Sequence, residues 1–494
     1  MKAKPAKPTV IEQPPSALEL RIQAWTRHPL AYVIASALLL LPCFWQSRIQ
    51  AGDLSSHIYN AWLAQLIESG KTTGLEVVSR TTNVLFDLEL STLMRAFGAA
   101  AAQRIAVSLA VLIFVWGAFY FIARLSGRRP WFLLPVLAIL AYGWTFHMGF
   151  FNMYVSLGLC FWAIGAAWDG KPRGLAIAAV LLAVAYVAHG LPVAWAVALG
   201  VYAWAARRTR PERLAQLFAA AVAAIVVLRF LLESATKTRW VWTQMLSAVA
   251  ADQAWTYDDK YIVVAVGLIV LWAALFFALL RQNGAASLLR SVPFHFAALT
   301  AVGIMILPTG VAVPGLQQGL AFIAERMSIA LGVCYCAAAA RARLNAVPAW
   351  LALGLMVVYF GLLFRDDRVL NGYEDRVAQA VAPLQGQRVV TGFNGDNLRS
   401  DPFLHMVDRA CLGVCYSYAN YEPSTLQFRV RVTGPSPIVA AGYQDSWRLQ
   451  VGRYLVKPSD LPLYRLTLTS TGGVIAVPLP PGQPNGVVTF SAIP

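Results

Sequence analysis

The sequence predicts a polytopic α-helical membrane protein that ends in a small, β-rich, water-soluble domain. Three observations lead to this fold class. Hydrophobic residues make up 58% of the 494 residues, and charged residues only 13%. The apolar residues are gathered into long runs that short basic segments separate. Beyond residue 364 the runs become short and alternating, with Pro, Gly and Asn between them.

The long apolar runs are interpreted as membrane-spanning helices, each of which needs about 20 residues. They predict about eleven spans within residues 30–364. The spans cover approximately residues 30–48, 104–123, 131–147, 152–168, 174–190, 192–206, 214–232, 261–280, 293–308, 327–340 and 347–364.

The basic residues indicate how the chain is oriented in the membrane. The net charge is +16, and Lys and Arg cluster in the N-terminal tail and in alternate loops. Because basic loops stay in the cytoplasm, we expect residues 1–29 to be a cytoplasmic tail and residues 365–494 to be extracytoplasmic. The predicted location is a bacterial inner membrane. No nucleic-acid partner is expected, since no soluble basic patch is interleaved with aromatic residues.

The loop 49–103 follows the first span on the outer side and is too long for a simple connection. It contains two amphipathic stretches, residues 57–68 and 87–97, of the kind that lie along a membrane surface. If the first stretch is helical, Asp53 and His57 lie on one face, one turn apart.

Asp53 is the first candidate for chemistry. A carboxylate at the membrane surface, beside a groove between helices, can act as a general base on a lipid head group. The alternative is an N-cap, in which the carboxylate accepts hydrogen bonds from amides at the helix start. His57 either positions a phosphate or lies in a polar interface.

Asp87 and Glu89 form a second acidic pair in the same loop. Paired carboxylates can divide acid–base or metal-binding work. The alternative is a solvated face of an amphipathic helix.

Glu325 and Arg326 stand at the head of an apolar span, where charges are costly and tend to mark a site. A guanidinium binds phosphate in a planar fork, so Arg326 suits a lipid phosphate. The alternatives are a local Glu325–Arg326 arrangement or a side chain that reaches the interface. Arg229 takes a similar position on its own span.

Three further polar residues interrupt the apolar pattern at the outer ends of spans: His147, Asn152 and His189. They either line a cavity that opens outside or are interface residues.

The polar C-terminal part carries short strand-like runs and two of the six cysteines, Cys411 and Cys415. If this part is outside the cytoplasm, we expect these two to form a disulfide. The predicted strands lie near residues 388–393, 428–432, 437–441, 464–468, 474–478 and 487–490.

Several motifs are absent. The chain has no GxxxxGK[ST] loop, no HExxH, no CxxC and no G-x-S-x-G elbow, which argues against an ATP-driven pump. No cofactor is predicted. A divalent metal is compatible with the acidic loop but is not required.

The combination resembles the GT-C glycosyltransferases, which include the protein O-mannosyltransferases and the lipid A aminoarabinose transferase. The resemblance rests on Gly52-Asp53 directly after the first span, the two interfacial stretches, the many further spans and the outside C-terminal domain. The tracts HMGFFNMYVSLGLCFW and FIAERMS are similar to those in uncharacterised bacterial members of the group.

This resemblance implies an inverting transfer of a sugar from a polyprenyl-phosphate donor to a glycan, lipid or protein acceptor at the outer membrane face. It makes Asp53 the catalytic base. The chain departs from the mannosyltransferase pattern because Leu54 follows Asp53, which leaves a second carboxylate open between Asp87 and Glu89. The rival interpretations are a transporter or flippase of a lipid-linked substrate and a non-catalytic membrane assembly factor.

Overall fold

The computed structural model describes residues 26, 28–342 and 346–491. The chain divides into two compact units, Met1–Leu41 and Pro42–Pro494. In the first unit the structure describes helix α1 (Pro29–Leu40). The predicted cytoplasmic tail, residues 1–29, lies almost entirely outside the described residues.

The second unit is largely helical. The helices are α2 (Leu54–Glu68), α3 (Leu85–Ser126), α4 (Leu134–Ala141), α5 (Trp144–His147), α6 (Phe151–Ala167), α7 (Pro172–Ala188), α8 (Gly190–Arg208), α9 (Leu214–Ala235), α10 (Ile262–Asn283), α11 (Ala285–Leu288), α12 (Val292–Ile306), α13 (Ile323–Ala339), α14 (Ala346–Val381), α15 (Met406–Ala410), α16 (Glu422–Thr425) and α17 (Tyr443–Gln450).

Four helical segments are long and apolar enough to cross a membrane, judged by length and composition over the described residues. They are Leu85–Ser126, Pro211–Ala235, Asp259–Asn283 and Val347–Val381. Five shorter apolar helices of 10–17 residues accompany them. The count of about eleven spans and the sidedness of the chain stay predictions.

Within the described residues the strands form four small sheets. The strands are β1 (Leu75–Val77), β2 (Lys237–Arg239), β3 (Gly310–Ala312), β4 (Arg388–Thr391), β5 (Phe393–Gly395), β6 (Tyr416–Ser417), β7 (Val430–Val432), β8 (Leu463–Leu468), β9 (Val474–Pro478) and β10 (Val488–Phe490). The largest sheet has the order β6-β4-β8-β9, in which β4 runs parallel to β6 and β8, and β8 runs antiparallel to β9.

Two of the small sheets join distant loops. β1, in the loop 49–103, pairs antiparallel with β7 in the C-terminal part, with Glu76 opposite Arg431. β2 pairs antiparallel with β3, with Thr238 opposite Val311. β5 and β10 pair in parallel. These pairings bring the loops around the site together.

Helix α3 contains both the predicted amphipathic stretch 87–97 and the predicted span 104–123. The two parts meet at Gly98, whose φ of 76° and ψ of 167° break the helical geometry. Beyond this kink, α3 packs closely on α6. A Cβ atom on Gly117 would come within 2.5 Å of the Gly158 carbonyl oxygen, so the contact depends on small residues, as in many membrane helix pairs.

The C-terminal part begins within a helix. The predicted boundary at residue 364 falls inside α14, which continues to Val381. Beyond it, strands β4–β10 alternate with three short helices. The strand predicted at residues 437–441 is wrong: these residues form bends. Pro435 and Pro437 have no amide hydrogen to give to a strand ladder.

Candidate functional site

Asp53 stands immediately before α2, in the N-cap position, but its side chain makes no capping hydrogen bond. Its backbone N–H instead donates to the Met148 carbonyl oxygen at 3.1 Å, and the Gly52 N–H donates to that of His147 at 2.7 Å. The turn between α5 and α6 therefore holds the backbone of Asp53. The carboxylate, 27% exposed, stays available for other partners.

Gly149 allows this close approach. Its φ is +81°, in the left-handed region, and a Cβ atom there would lie 2.5 Å from the Asp53 backbone nitrogen. A residue with a side chain would meet both the backbone strain and the collision. The HMGFFN turn thus determines where Asp53 sits.

A cavity of about 760 Å³ opens beside Asp53. Five of the residues that the sequence singled out line it: Asp53, His57, Asn152, His189 and Arg326. These residues come from α2, α6, α13 and the junction between α7 and α8. The fold therefore gathers positions spread over more than half of the chain around one space.

His57 is paired with Asp87. The Nδ1 atom of His57 lies 2.6 Å from Oδ1 of Asp87, and Asn152 donates from Nδ2 to the other Asp87 oxygen at 2.8 Å. Burial lowers the pKa of His57, but the adjacent Asp87 carboxylate outweighs burial and raises the pKa to about 9. His57 is thus a cation at neutral pH, at the edge of the cavity. Asp87 does not line the cavity itself but orients two residues that do.

Arg326 carries the second positive charge of the cavity. Its guanidinium lies over the Phe150 ring, 3.6 Å from the ring centroid, a cation–π contact. Its Nε atom is buried and has no hydrogen-bond partner among the described residues. The charged groups that act on it electrostatically include Asp53 and Glu325. A buried donor without a partner is costly, and an anionic ligand in the cavity would satisfy it.

The cavity also has an extended apolar side, which continues from Arg326 towards α9 and β3. It includes Leu228, Leu232, Leu307, Val311, Leu316 and Phe322. The part of the site that the first 364 residues supply therefore combines the Asp53 carboxylate, the His57 and Arg326 cations and a hydrophobic wall.

The C-terminal part supplies the opposite wall, which sequence reasoning missed. His405, Tyr421 and Glu422 line the cavity together with residues of α17. The Nε2 atom of His405 lies 3.5 Å from Oδ1 of Asp53, and its Nδ1 atom lies 2.8 Å from Oδ2 of Asp408. The signal that could have revealed this pair is the three-residue spacing of a His and an Asp in HMVD.

Glu422 is buried close to His57. Its Oε1 atom accepts a hydrogen bond from Ser56 Oγ at 3.1 Å. Burial raises the pKa of Glu422 to about 7, and the charge of His57 opposes this rise. Glu422 therefore titrates near neutral pH, on the wall that faces α2.

Besides Asp87, three of the predicted site residues do not line the cavity: Glu89, His147 and Glu325. His147 is buried, with its Nδ1 atom 3.3 Å from the Gly143 carbonyl oxygen. Glu325 accepts a hydrogen bond from Thr309 Oγ1 at 2.6 Å, rather than pairing with Arg326. Glu89 is partly exposed on α3. These placements follow from helix periodicity, since adjacent or alternate residues point to different faces.

No group of three or more His, Cys, Asp or Glu side chains is arranged to hold a metal ion in the part of the chain that the structure describes. Metal dependence stays open to experiment. Cys411 and Cys415 form the predicted disulfide, directly after α15.

In comparisons with protein-family models, curated proteins and solved structures, nothing matches this chain.

Proposed function

We propose that this protein is an inverting glycosyltransferase of the GT-C type, which moves a sugar from a polyprenyl-phosphate donor to an acceptor at the outer face of a bacterial inner membrane. Asp53 is the general base. The observation that carries the proposal is the shared cavity of Asp53, Arg326 and an apolar wall. A lipid-linked sugar phosphate needs all three.

The size and chemistry of the cavity suit such a donor. Its volume of about 760 Å³ lies in the range of small-molecule pockets, roughly 300–1,000 Å³. The prenyl chain would lie along the apolar side, and the phosphate would accept hydrogen bonds from Arg326, whose Nε atom lacks a partner. The second N–H of the Asn152 amide and the Nε2 atom of His189 would then contact the sugar hydroxyl groups, since the other polar atoms of these side chains already have partners.

The proposed reaction is a single displacement. Asp53 takes the proton of an acceptor hydroxyl group while the oxygen of that hydroxyl group attacks the anomeric carbon of the donor sugar. The bond between the anomeric carbon and the phosphate oxygen breaks at the same time. The configuration at the anomeric carbon inverts. The prenyl phosphate leaves with an added negative charge, which Arg326 and the His57 cation stabilise. The scheme requires no metal ion.

Two features support a common, extracytoplasmic side for the site loops. The pairings β1–β7 and β2–β3 join segments that the positive-inside rule assigns to one side of the membrane. The Cys411–Cys415 disulfide fits an oxidising compartment. We accordingly propose about eleven spans, a cytoplasmic N-terminus and an extracytoplasmic part from residue 365.

The test is mass spectrometry of lipids and glycans from cells with and without the protein, followed by transfer assays on the purified chain with the donor so identified. We expect Asp53→Asn to abolish product while the donor still binds. Asp259→Asn is the matched control, because Asp259 is exposed and does not line the cavity. Transbilayer movement of a lipid-linked substrate without any product would favour the transporter.

An assembly factor would be unaffected by Asp53→Asn. Deletion of residues 370–494 cannot separate that rival from an enzyme, because these residues include one wall of the cavity. The point substitution is therefore the decisive variant.

A further inference from the structure

A buried histidine–aspartate pair stands behind the Asp53 carboxylate. The side chains of His405 and Asp408 are 4% and 3% exposed, whereas that of Asp53 is 27% exposed. His405 lies between the two carboxylates, 2.8 Å from Asp408 and 3.5 Å from Asp53. The arrangement is a carboxylate–imidazole–carboxylate row that ends at the cavity.

We infer that His405, held by Asp408, is a positioning residue that keeps the Asp53 carboxylate directed into the cavity. The inference deepens the proposed function, on which the catalytic meaning of Asp53 rests. The charge coupling between these side chains can be tested without any substrate.

Several contacts fix the orientation of the His405 imidazole ring. The Oδ2 atom of Asp408 is hydrogen-bonded to Nδ1 of His405, and its Oδ1 atom accepts a hydrogen bond from Ser417 Oγ. Tyr421 packs beside the ring, with centroids 5.7 Å apart. Because Asp408 is anchored on both oxygens, the ring cannot turn without breaking these bonds. Nε2 is thereby directed at Asp53.

The charges around His405 favour an imidazolium. The titratable groups that act on it are Asp408, Asp53, Glu422, Asp401 and Tyr421.

Burial by itself lowers the pKa of His405. The hydrogen bond and charge of Asp408 outweigh burial, with help from Asp53 and Glu422, so that the pKa lies above its usual value. An imidazolium donates from both ring nitrogens and can therefore serve both carboxylates at once.

The charges of His405 and Arg326 both act on Asp53. His405 lines the cavity, but its side chain is only 4% exposed, whereas that of Asp53 is 27% exposed. We therefore assign the effect of His405 to the placement of Asp53.

The first experiment observes His405 directly by NMR. The full-length chain, in detergent micelles, is labelled with [¹³Cε1]-histidine, which gives signals from only six histidines. His405→Gln assigns the signal. We expect the wild-type His405 to remain protonated at a pH above the ordinary His value of about 6.5, and its titration to move to lower pH in Asp53→Asn and in Asp408→Asn.

The matched control uses the other pair of the site. Asp87→Asn should move the titration of His57 and leave that of His405 in place, since Asp87 acts on His57. A neutral His405 at pH 6, or a titration that is the same in Asp53→Asn and wild type, overturns the inference.

The second experiment measures turnover with the donor found by mass spectrometry. His405→Gln should reduce kcat by up to about 100-fold, the loss that a reacting group displaced by about 1 Å can cause, with KM for the donor unchanged. His405→Gln that loses affinity and stability but keeps kcat contradicts the positioning role. If no transfer is found for wild type while the NMR coupling holds, the proposed function fails and the Asp53–His405 coupling stands.

Discussion

His57 and Asp87 form a 2.6 Å contact between Nδ1 and Oδ1, although thirty residues separate them in the chain. One residue lies on α2 and the other in the first turn of α3, so the contact ties together the two amphipathic helices of the loop 49–103. It also supplies the cavity with a histidine cation.

This pair predicts a pH dependence of stability. Because the pKa of His57 is raised to about 9 in the folded chain, its contribution is fully present below the unfolded value of about 6.5 and is lost as the pH rises through about 9. We expect the Tm of wild type to fall across this window.

Asp87→Asn should remove most of that slope, at a cost of up to about 3 kcal/mol at pH 6. Thermal unfolding from pH 6 to 10 in detergent measures it. The pKa of Glu422 is raised from 4.5 to about 7, so its effect on stability changes mainly between these two values and overlaps only the lower end of the His57 window. Parallel Tm curves for the two chains would contradict the prediction.

Arg326→Gln should weaken donor binding by roughly 10- to 100-fold, since a charged hydrogen bond to phosphate is lost. Arg326→Lys should recover only part, because an ammonium lacks the planar fork and stacks less well on Phe150. Titration with polyprenyl phosphate measures the affinity.

The control for Arg326 is Arg229→Gln. Arg229 pairs with Glu233 at 2.9 Å and does not line the cavity. Equal losses in the two Gln variants would refute a specific phosphate role for Arg326.

Gly149→Ala should abolish transfer, because the added Cβ atom displaces the Asp53 backbone. Gly127→Ala isolates the backbone strain: Gly127 also has a positive φ, of +74°, but its Cβ atom would meet nothing within 4 Å. Both variants should lose about 1–2 kcal/mol of stability from strain. Only Gly149→Ala should lose turnover. Comparable turnover in the two variants would contradict the role of the Gly149 turn in positioning Asp53.

Glu374→Gln should destabilise the protein by about 3–5 kcal/mol, because it leaves a buried guanidinium unpaired. Arg409 donates to both oxygens of Glu374 at 2.6 Å, and also to the Ile49 carbonyl oxygen, in a nearly fully buried network.

The neighbouring Asp375 offers a matched exposed pair. Its side chain is 57% exposed and contacts Arg48, so Asp375→Asn should cost about 1 kcal/mol or less. Denaturation midpoints of the two variants decide whether burial makes the difference.

The sequence was informative where chemistry is local. The four-residue spacing of Asp53 and His57 predicts that they share one helix face. Arg326 could be singled out because a charged residue in an apolar run is energetically unfavourable. The sequence could not predict the partner of His57 or the role of the HMVD segment, because both depend on how α2, α3 and α15 pack. Because residues 365–494 were predicted to be a separate domain, His405 was not expected at the site. Strand-like patterns do not predict which cavity a loop lines.

The pairing of Asp53 with His405 has a consequence for biosynthesis. The ribosome adds Asp53 more than 350 residues before His405, so a nascent chain that already carries most of its apolar helices still lacks the cavity wall that contains His405, Tyr421 and Glu422. If the proposed function holds, the order of translation would keep this intermediate inactive until the last fifth of the polypeptide is made.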